Sequence, residues 1–468
     1  MKMKRMSTKK RILTAVIIFF ATALLLAIVV LFGPDPMPVD WAKVEHVPSN
    51  VTLLAANDPN NNTGSVALVR YNGKDADGNP IIDDSPWKVL QFTDMHLTQE
   101  DDTNEITLNH FIETIKREQP DFVALTGDII TRPDGRPRAV QLAQIFEKMG
   151  IYWCYCLGNH EGDSAPFTLS REELVRIWAK YDHCLLENDV KKTSKGEDVW
   201  GLGNTVVNLL GSGHKIVQTM IFMDSGNRIS SDDYDSLKKA GVTGIKKGCY
   251  DFLKSSQIEW YAEQVTKAAT LNPNVKSMLF IHIPLVEMSN IKLQEAKGTV
   301  KDSVLPQEAA EDGWYYAYPE HPLYVGDQIY GYTIVRDGWK IVGDTASYEK
   351  CYCSDYNSGM YDKMKELRQW VNALFCGHDH INNTIFYQEL KGEEKNYIYL
   401  CYGIGSGLQS YNMYSEGLSD IDDYHLRGYS KITIYGDSSF DLEQIRYNNV
   451  KNPEVRILGG IAQNNLAD

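Results

Sequence analysis

The sequence is short of positive charge: 47 Lys and Arg stand against 62 Asp and Glu, a net charge of −15. Six of those cations crowd into residues 1–11, where there is no acid, so the remainder is more acidic still. A surface of that sign repels polyphosphate backbones, which excludes nucleic acid and anionic membrane surfaces as partners of that remainder. Cysteine is also sparse. Cys154, Cys156, Cys184, Cys249, Cys351, Cys353, Cys376 and Cys401 include two Cys-x-Cys pairs, but no spacing of a structural zinc site. Cys154, Cys156, Cys376 and Cys401 lie in apolar runs and read as small buried hydrophobes. Cys351 and Cys353, in a polar, tyrosine-rich stretch, are the better disulfide candidates. There is no internal repeat and no low-complexity tract, which excludes a repeat array.

One apolar segment stands apart. Ile12 to Phe32 carries no charge and as a helix would be about 30 Å long, enough to cross a bilayer. The rival reading is a cleaved signal peptide. Against it, the run is long for such a segment, and Gly33-Pro34-Asp35-Pro36 follows instead of a small-x-small cleavage site. The expectation is a basic cytoplasmic tail over 1–11, a transmembrane anchor over 12–32 and everything beyond it extracytoplasmic, a single-pass membrane protein.

With 43% hydrophobic residues in 468, the chain is ample for a large core in one or two domains. Residues 33–85, rich in Pro, Asn, Asp and Gly, read as a stalk plus an edge hairpin, with a strand at Val66 to Val69. From Trp87 a strand-to-helix rhythm begins, over a domain spanning 86–456. Strands are expected at Val89 to Phe92, Phe122 to Leu125, Ile151 to Leu157, Met278 to Ile281 and Ala373 to Phe375. Helices are expected at Ile106 to Ile115, Val140 to Met149 and Met364 to Val371. Capping boxes at Ser170 to Glu173 and Ser256 to Glu259 open two more. Residues 287–360 are long, aromatic and irregular, a candidate functional loop or lid insertion. From Thr384 strands follow without clear helices, which predicts a second, more antiparallel sheet packed on the first.

Five short motifs stand just past predicted strand ends: Asp94-Met95-His96, Gly127-Asp128, Gly158-Asn159-His160-Glu161, His282 and Gly377-His378-Asp379-His380. That edge is where layered α/β proteins bind ligands. Singly, most mean little, since Gly-Asp after a strand is usually a turn and a lone histidine is usually packed. Together they offer Asp94, His96, Asp128, Asn159, His282, His378 and His380 as metal ligands, with Asp128 able to bridge two cations. The mixture of oxygen and imidazole suits Mn, Fe or Zn over Ca or Mg. Two adjacent cations serve in-line displacement at phosphorus, and His160 is placed to protonate the leaving oxygen. A small phosphorylated substrate suits even an acidic domain, because bound cations dominate the local field. His46, His110, His183, His214, His321 and His425 read as ordinary structural histidines. Gly403-Ile404-Gly405-Ser406-Gly407 lacks the G-x-G-x-x-G spacing and reads as a close backbone approach to the metal loops. Arg132 and Arg427 are candidate phosphate contacts or plain surface arginines. Asn50, Asn61 and Asn382 open glycosylation acceptor triplets.

The ordered set from Asp94 to His380 resembles the calcineurin-like metallophosphoesterase superfamily, from Trp87 to Asn448. Phe280-Ile281-His282-Ile283-Pro284, Phe222-Met223-Asp224-Ser225-Gly226 and Leu400-Cys401-Tyr402-Gly403 resemble its purple-acid-phosphatase-like branch. The resemblance implies an α/β fold, a four-layer α/β/β/α sandwich with two mixed sheets and the site at one edge. It implies one metal on Asp94, His96, Asp128 and His380, another on Asp128, Asn159, His282 and His378, and His160 as general acid or leaving-group stabiliser. Two positions depart from the family pattern. Thr131 stands where purple acid phosphatases place a tyrosine, and Glu161 stands where many members have Asp. The expected function is a membrane-anchored, metal-dependent phosphohydrolase acting on a phosphomonoester. A phosphodiesterase or pyrophosphohydrolase on the same site, or an inert metal-binding adaptor, are the alternatives.

Overall fold

The computed structural model describes residues 39–97, 102–131, 135–163, 169–299, 313–317, 323–325, 328–389, 397–408, 426–451, 454–459 and 461–462. The tail 1–11, the apolar run 12–32, Arg132, His321 and His425 lie outside them. Among the described residues no helix is long and apolar enough to cross a membrane.

Two mixed sheets carry the fold. The seven-stranded sheet is built on three parallel strands, Trp87–Phe92, Phe122–Leu125 and Tyr152–Tyr155. Gly428–Ile434 joins antiparallel to the first of these, and Phe440–Arg446, Glu454–Leu458 and Ile461–Ala462 follow outward. The ten-stranded sheet holds Lys215–Phe222, Lys276–Phe280, Val371–Cys376 and Tyr399–Tyr402 in parallel at its centre. The central strands of both sheets are apolar and buried along nearly their whole length, as parallel strands covered on both faces are.

The sheets face one another through aromatic pairs, Phe122 with Phe222 and Phe375 with Phe440, at 6.1 and 6.4 Å between ring centroids. Helices cover the outer faces. On the smaller sheet, Phe111 of helix Asp102–Glu118 packs on Phe92 and on Phe146 of helix Gly135–Met149, and Phe146 stacks on Trp153. On the larger sheet, helix Ser255–Leu271 buries Ile258, Trp260, Tyr261 and Val265 against Ile221, Leu279 and Leu374.

Several sequence expectations are corrected. Strands after Thr384 do not make one sheet: Ile385–Gln388 and Tyr399–Tyr402 extend the larger sheet, and only those from Gly428 onward join the smaller. Helix Ser170 onward has its capping box, Ser170 accepting from Glu173 N, but the other helix begins at Ser255, before the expected Ser256 cap. There Gln257 accepts from Lys254 N, and Ser256 Oγ instead accepts from Trp200 N. The helix near Met364 runs Met360–Glu366, and Val371 already belongs to a strand. All eight cysteines are free, Cys351 and Cys353 included. Asn50 is exposed, whereas Asn61 and Asn382 are buried, Asn61 donating to three carbonyls.

Val51–Leu54, Val66–Lys74 and Pro80–Ile82 are strands of the larger sheet, with Val66–Leu68 parallel to Val207–Leu209. Within 287–360, Ile291–Thr299, Gln328–Arg336, Trp314–Tyr316 and Leu323–Val325 form a small antiparallel sheet. Trp339–Ile341 leaves it to pair with Ile385–Gln388 at the edge of the larger sheet.

Candidate metal centre

The site lies where parallel strands of both sheets end. Asp94 and His96 follow Trp87–Phe92, Asp128 follows Phe122–Leu125, Asn159 follows Tyr152–Tyr155, His282 follows Lys276–Phe280, and His378 and His380 follow Val371–Cys376. Asp94, His96, Asp128 and His378 all have φ between 47° and 79°. Left-handed backbone at non-glycine residues is unfavourable and persists where the surroundings hold it. Glycines make room for these turns: a Cβ on Gly127 would collide with His282, on Gly158 with Asp128, and on Gly377 with Thr93 and Asp94. The glycine-rich stretch supports them from behind. Ser406 N donates to Thr93 O at 2.8 Å, and Gly407 N to Asp94 O at 3.2 Å, the close approach its composition suggested.

All seven ligand candidates come together and are buried. Asp94, His96, Asp128 and His380 form one group of potential ligand atoms within 4.8 Å of each other, and Asp128, His282 and His378 a second. Asn159 joins the second, its Oδ1 3.0 Å from His282 Nε2. The two groups share Asp128, whose Oδ2 lies 3.1 Å from His282 Nε2 and 3.8 Å from His96 Nε2. His96 Nε2 and His380 Nε2 face each other at 3.0 Å, an approach that needs a proton or a cation between the nitrogens.

Each carboxylate has one oxygen occupied and one aimed inward. Asp94 Oδ2 accepts from Thr93 Oγ1 at 2.7 Å and from His378 N at 3.0 Å. Asp128 Oδ1 accepts from His160 N at 2.8 Å. Asp94 Oδ1 and Asp128 Oδ2 are buried without a hydrogen-bond partner. Buried oxygens so placed are costly unless a cation meets them, so the donor set fits a metal centre. Asp128 therefore presents one shared oxygen to both groups, not one oxygen to each.

Electrostatics separate the histidines. Burial, then the neighbouring His282 and His96 respectively, hold His378 and His380 well below the ordinary histidine range, so both are neutral ligands in waiting. Burial also pushes His282 down, but the Asp128 carboxylate outweighs it and lifts His282 to about 10. His282 Nδ1 donates to Thr126 O at 2.8 Å, which turns Nε2 toward the cluster.

His160 stands at the open side, half-exposed, with its ring 5.4 Å from that of His96. Its Nδ1 meets Asp163 Oδ2 at 2.6 Å, and that hydrogen bond, only partly opposed by burial, raises His160 to about 9. Asp163 carries no motif signal in the sequence. Glu161 does not orient His160. It is buried and accepts from the backbone N–H groups of Asp128, Ile129, Ile130 and Gly158 at 2.7 to 3.3 Å, strapping two ligand loops together. Asp379, between His378 and His380, faces away and accepts from Tyr402 Oη at 2.6 Å. Arg427 is neither at the surface nor free to contact phosphate: it is buried and Nη1 donates to His380 O at 2.6 Å. Of the histidines read as structural, His110 stacks on Tyr447 and His183 pairs with Glu147.

Residues 88–280 match the family model described as calcineurin-like phosphoesterase. That stretch contains Asp94, His96, Asp128, Asn159 and His160 and ends two residues before His282. An uncharacterized protein of Schizosaccharomyces pombe is 28% identical over 224 residues, 43% of this chain and 37% of its own length. The chain thus spans well under half of that curated relative. Among solved structures, a dimetal phosphatase from Danio rerio aligns at 11% identity and a TM-score of 0.41, covering 77% of this chain and 96% of that one. GAP50, the anchor in the inner membrane complex of Plasmodium, aligns at 10% and 0.41, covering 80% and 90%. Purple acid phosphatase PPD1 from yellow lupin aligns at 12% and 0.35, covering 82% and 57%.

Proposed function

From the match of residues 88–280 to the calcineurin-like phosphoesterase family model, we propose that this chain is a metal-dependent, membrane-anchored phosphohydrolase that cleaves a small phosphomonoester outside the cytoplasm. The observation that carries the chemistry is the pair of buried donor groups meeting at Asp128. One cation would be held by Asp94, His96, Asp128 and His380, the other by Asp128, Asn159, His282 and His378. The oxygen-and-imidazole mixture favours Mn, Fe or Zn. Bound there, the cations would supply Lewis acidity to a phosphoryl oxygen and to an attacking water.

The chain's own residues do the rest. Protonated His160, the proton held ready by the Asp163 carboxylate, gives it to the leaving oxygen as the ester bond breaks. Glu161 keeps the Asp128 and Asn159 loops in register, and Arg427 fixes the backbone of His380. Two facing mixed sheets with helices outside agree with an α/β/β/α sandwich, and the basic flank before 12–32 favours an extracytoplasmic domain.

Elemental analysis paired with hydrolysis of phenyl phosphate and diphenyl phosphate tests this reading. The expected result is about two metal equivalents per chain and faster monoester cleavage. Asp128→Asn should lower metal content and reduce turnover about 100-fold or more. A full metal complement without turnover of any ester would leave an inert binding protein, and faster diester cleavage a diesterase.

A further inference from the structure

One cation beside the centre has no task in the chemistry above. Arg228 and Tyr250 form an isolated antiparallel β-bridge, reinforced by Ile229 N donating to Cys249 O at 2.9 Å and Asp251 N to Asn227 O at 3.2 Å. The pairing sets the Arg228 guanidinium carbon 3.7 Å from the Tyr250 ring centroid. Tyr250 in turn meets the imidazole of His378 edge-on, 4.4 Å between centroids at 86°. Tyr250 thus touches both the Arg228 guanidinium and the imidazole of the candidate ligand His378.

Three less exposed cations are committed. Arg427 is buried on the His380 carbonyl, Arg171 pairs with Asp224 at 2.7 Å, and Lys254 pairs with Asp251 at 2.5 Å and Asp233 at 2.9 Å. Arg228 is exposed, and among the described residues no carboxylate lies within 4.0 Å of it. Beyond Tyr250 its polar contact is Gly248 O at 3.5 Å, the limit of a hydrogen bond. Acids outnumber bases along the chain, so a guanidinium left without one is poised for an anion that arrives from outside. Stacking on Tyr250 restricts the side chain and leaves its planar fork for bidentate recognition of an oxyanion. Tyr250 touches both Arg228 and His378, and Arg228 belongs to neither group of potential ligand atoms.

We propose that Arg228, seated on Tyr250, binds a second oxyanion carried by the rest of the substrate. The preferred substrates are then phosphate esters bearing another carboxylate or phosphate. This rests on the phosphoesterase reading and narrows its substrate class.

The test compares phenyl phosphate with 3- and 4-carboxyphenyl phosphate, which share a scissile group and differ by one carboxylate. In the full chain the carboxylated esters should have the higher kcat/KM. Arg228→Ala should cut that preference about tenfold, through KM and not kcat, with Arg228→Lys between the two. Metal content and Tm matching wild type identify a folded variant. An unchanged preference in Arg228→Ala, whether or not both rates fall together, would overturn the proposal. Calorimetry with phenylphosphonate and 4-carboxyphenylphosphonate separates this inference from the function it rests on. If wild type cleaves no ester, the phosphoesterase reading fails; a carboxylate-dependent, Arg228-dependent gain in binding still upholds the anion site, and its absence removes it.

Discussion

At the scale of single residues, the site depends on which atoms are left over. Thr93 and His378 N occupy one oxygen of Asp94, and His160 N one oxygen of Asp128, so each carboxylate turns a single bare oxygen inward. His160 is tuned by one hydrogen bond. Asp163 holds it protonated up to about pH 9, so a role as acid is available through neutrality and lost as pH rises through that value. Asp163→Asn removes the stabilising charge, and the alkaline limb of the kcat profile should move to lower pH; an unmoved limb would separate Asp163 from the acid. His160→Ala should retain metal and slow turnover about 100-fold, most for esters with poor leaving groups. Equal slowing for every leaving group would take the proton-donor role away. Thr131 is buried three residues beyond Asp128, where a tyrosinate would colour an iron centre. Iron-loaded protein should therefore show no intense visible band, and a strong one in its absorption spectrum would place another tyrosinate on the metal.

At the scale of elements, the loops matter more than the strands that deliver them. Four residues of the cluster sit at positive φ, and three glycines leave space that any Cβ would fill. Such turns need outside support, and Glu161 supplies it by accepting four backbone N–H groups from two loops. Glu161→Ala leaves those donors buried and unmet, and should cost on the order of 3 kcal/mol in urea unfolding of the metal-free protein. Unfolding at wild-type urea concentration would show that the turns hold themselves. The smaller helix-level forecasts divided over a tertiary contact. Ser170 caps as expected, its hydroxyl accepting from Glu173 N, whereas Ser256 is drawn to Trp200 N by a tertiary contact.

At the scale of the whole molecule, the cluster of candidate metal ligands forms because two sheets end their parallel strands at a common edge. Candidate ligands nearly 290 positions apart, from Asp94 to His380, become neighbours there. We propose that the uncharged run 12–32 anchors this assembly in a membrane. Full-length protein should remain in the membrane pellet after alkaline carbonate washing, and a chain beginning at Val39 should be released, the two compared by immunoblot. Release of both would remove the anchor.

The gathering of the candidate ligands was legible along the chain because each follows an apolar strand, and strand ends of an α/β sheet converge by topology alone. Burial of Cys154, Cys156, Cys376 and Cys401, and the close approach of the glycine-rich stretch, were legible for similar local reasons. Other features needed coordinates. That Asp163 and not Glu161 partners His160, that Arg427 is interior, that the late strands divide between sheets and that Arg228 rides on Tyr250 are all outcomes of pairing between distant segments. Residue type and spacing determine what chemistry a chain can assemble. Which oxygen stays bare and which cation stays unpaired is decided by hydrogen-bond partners that only the packed fold brings within reach.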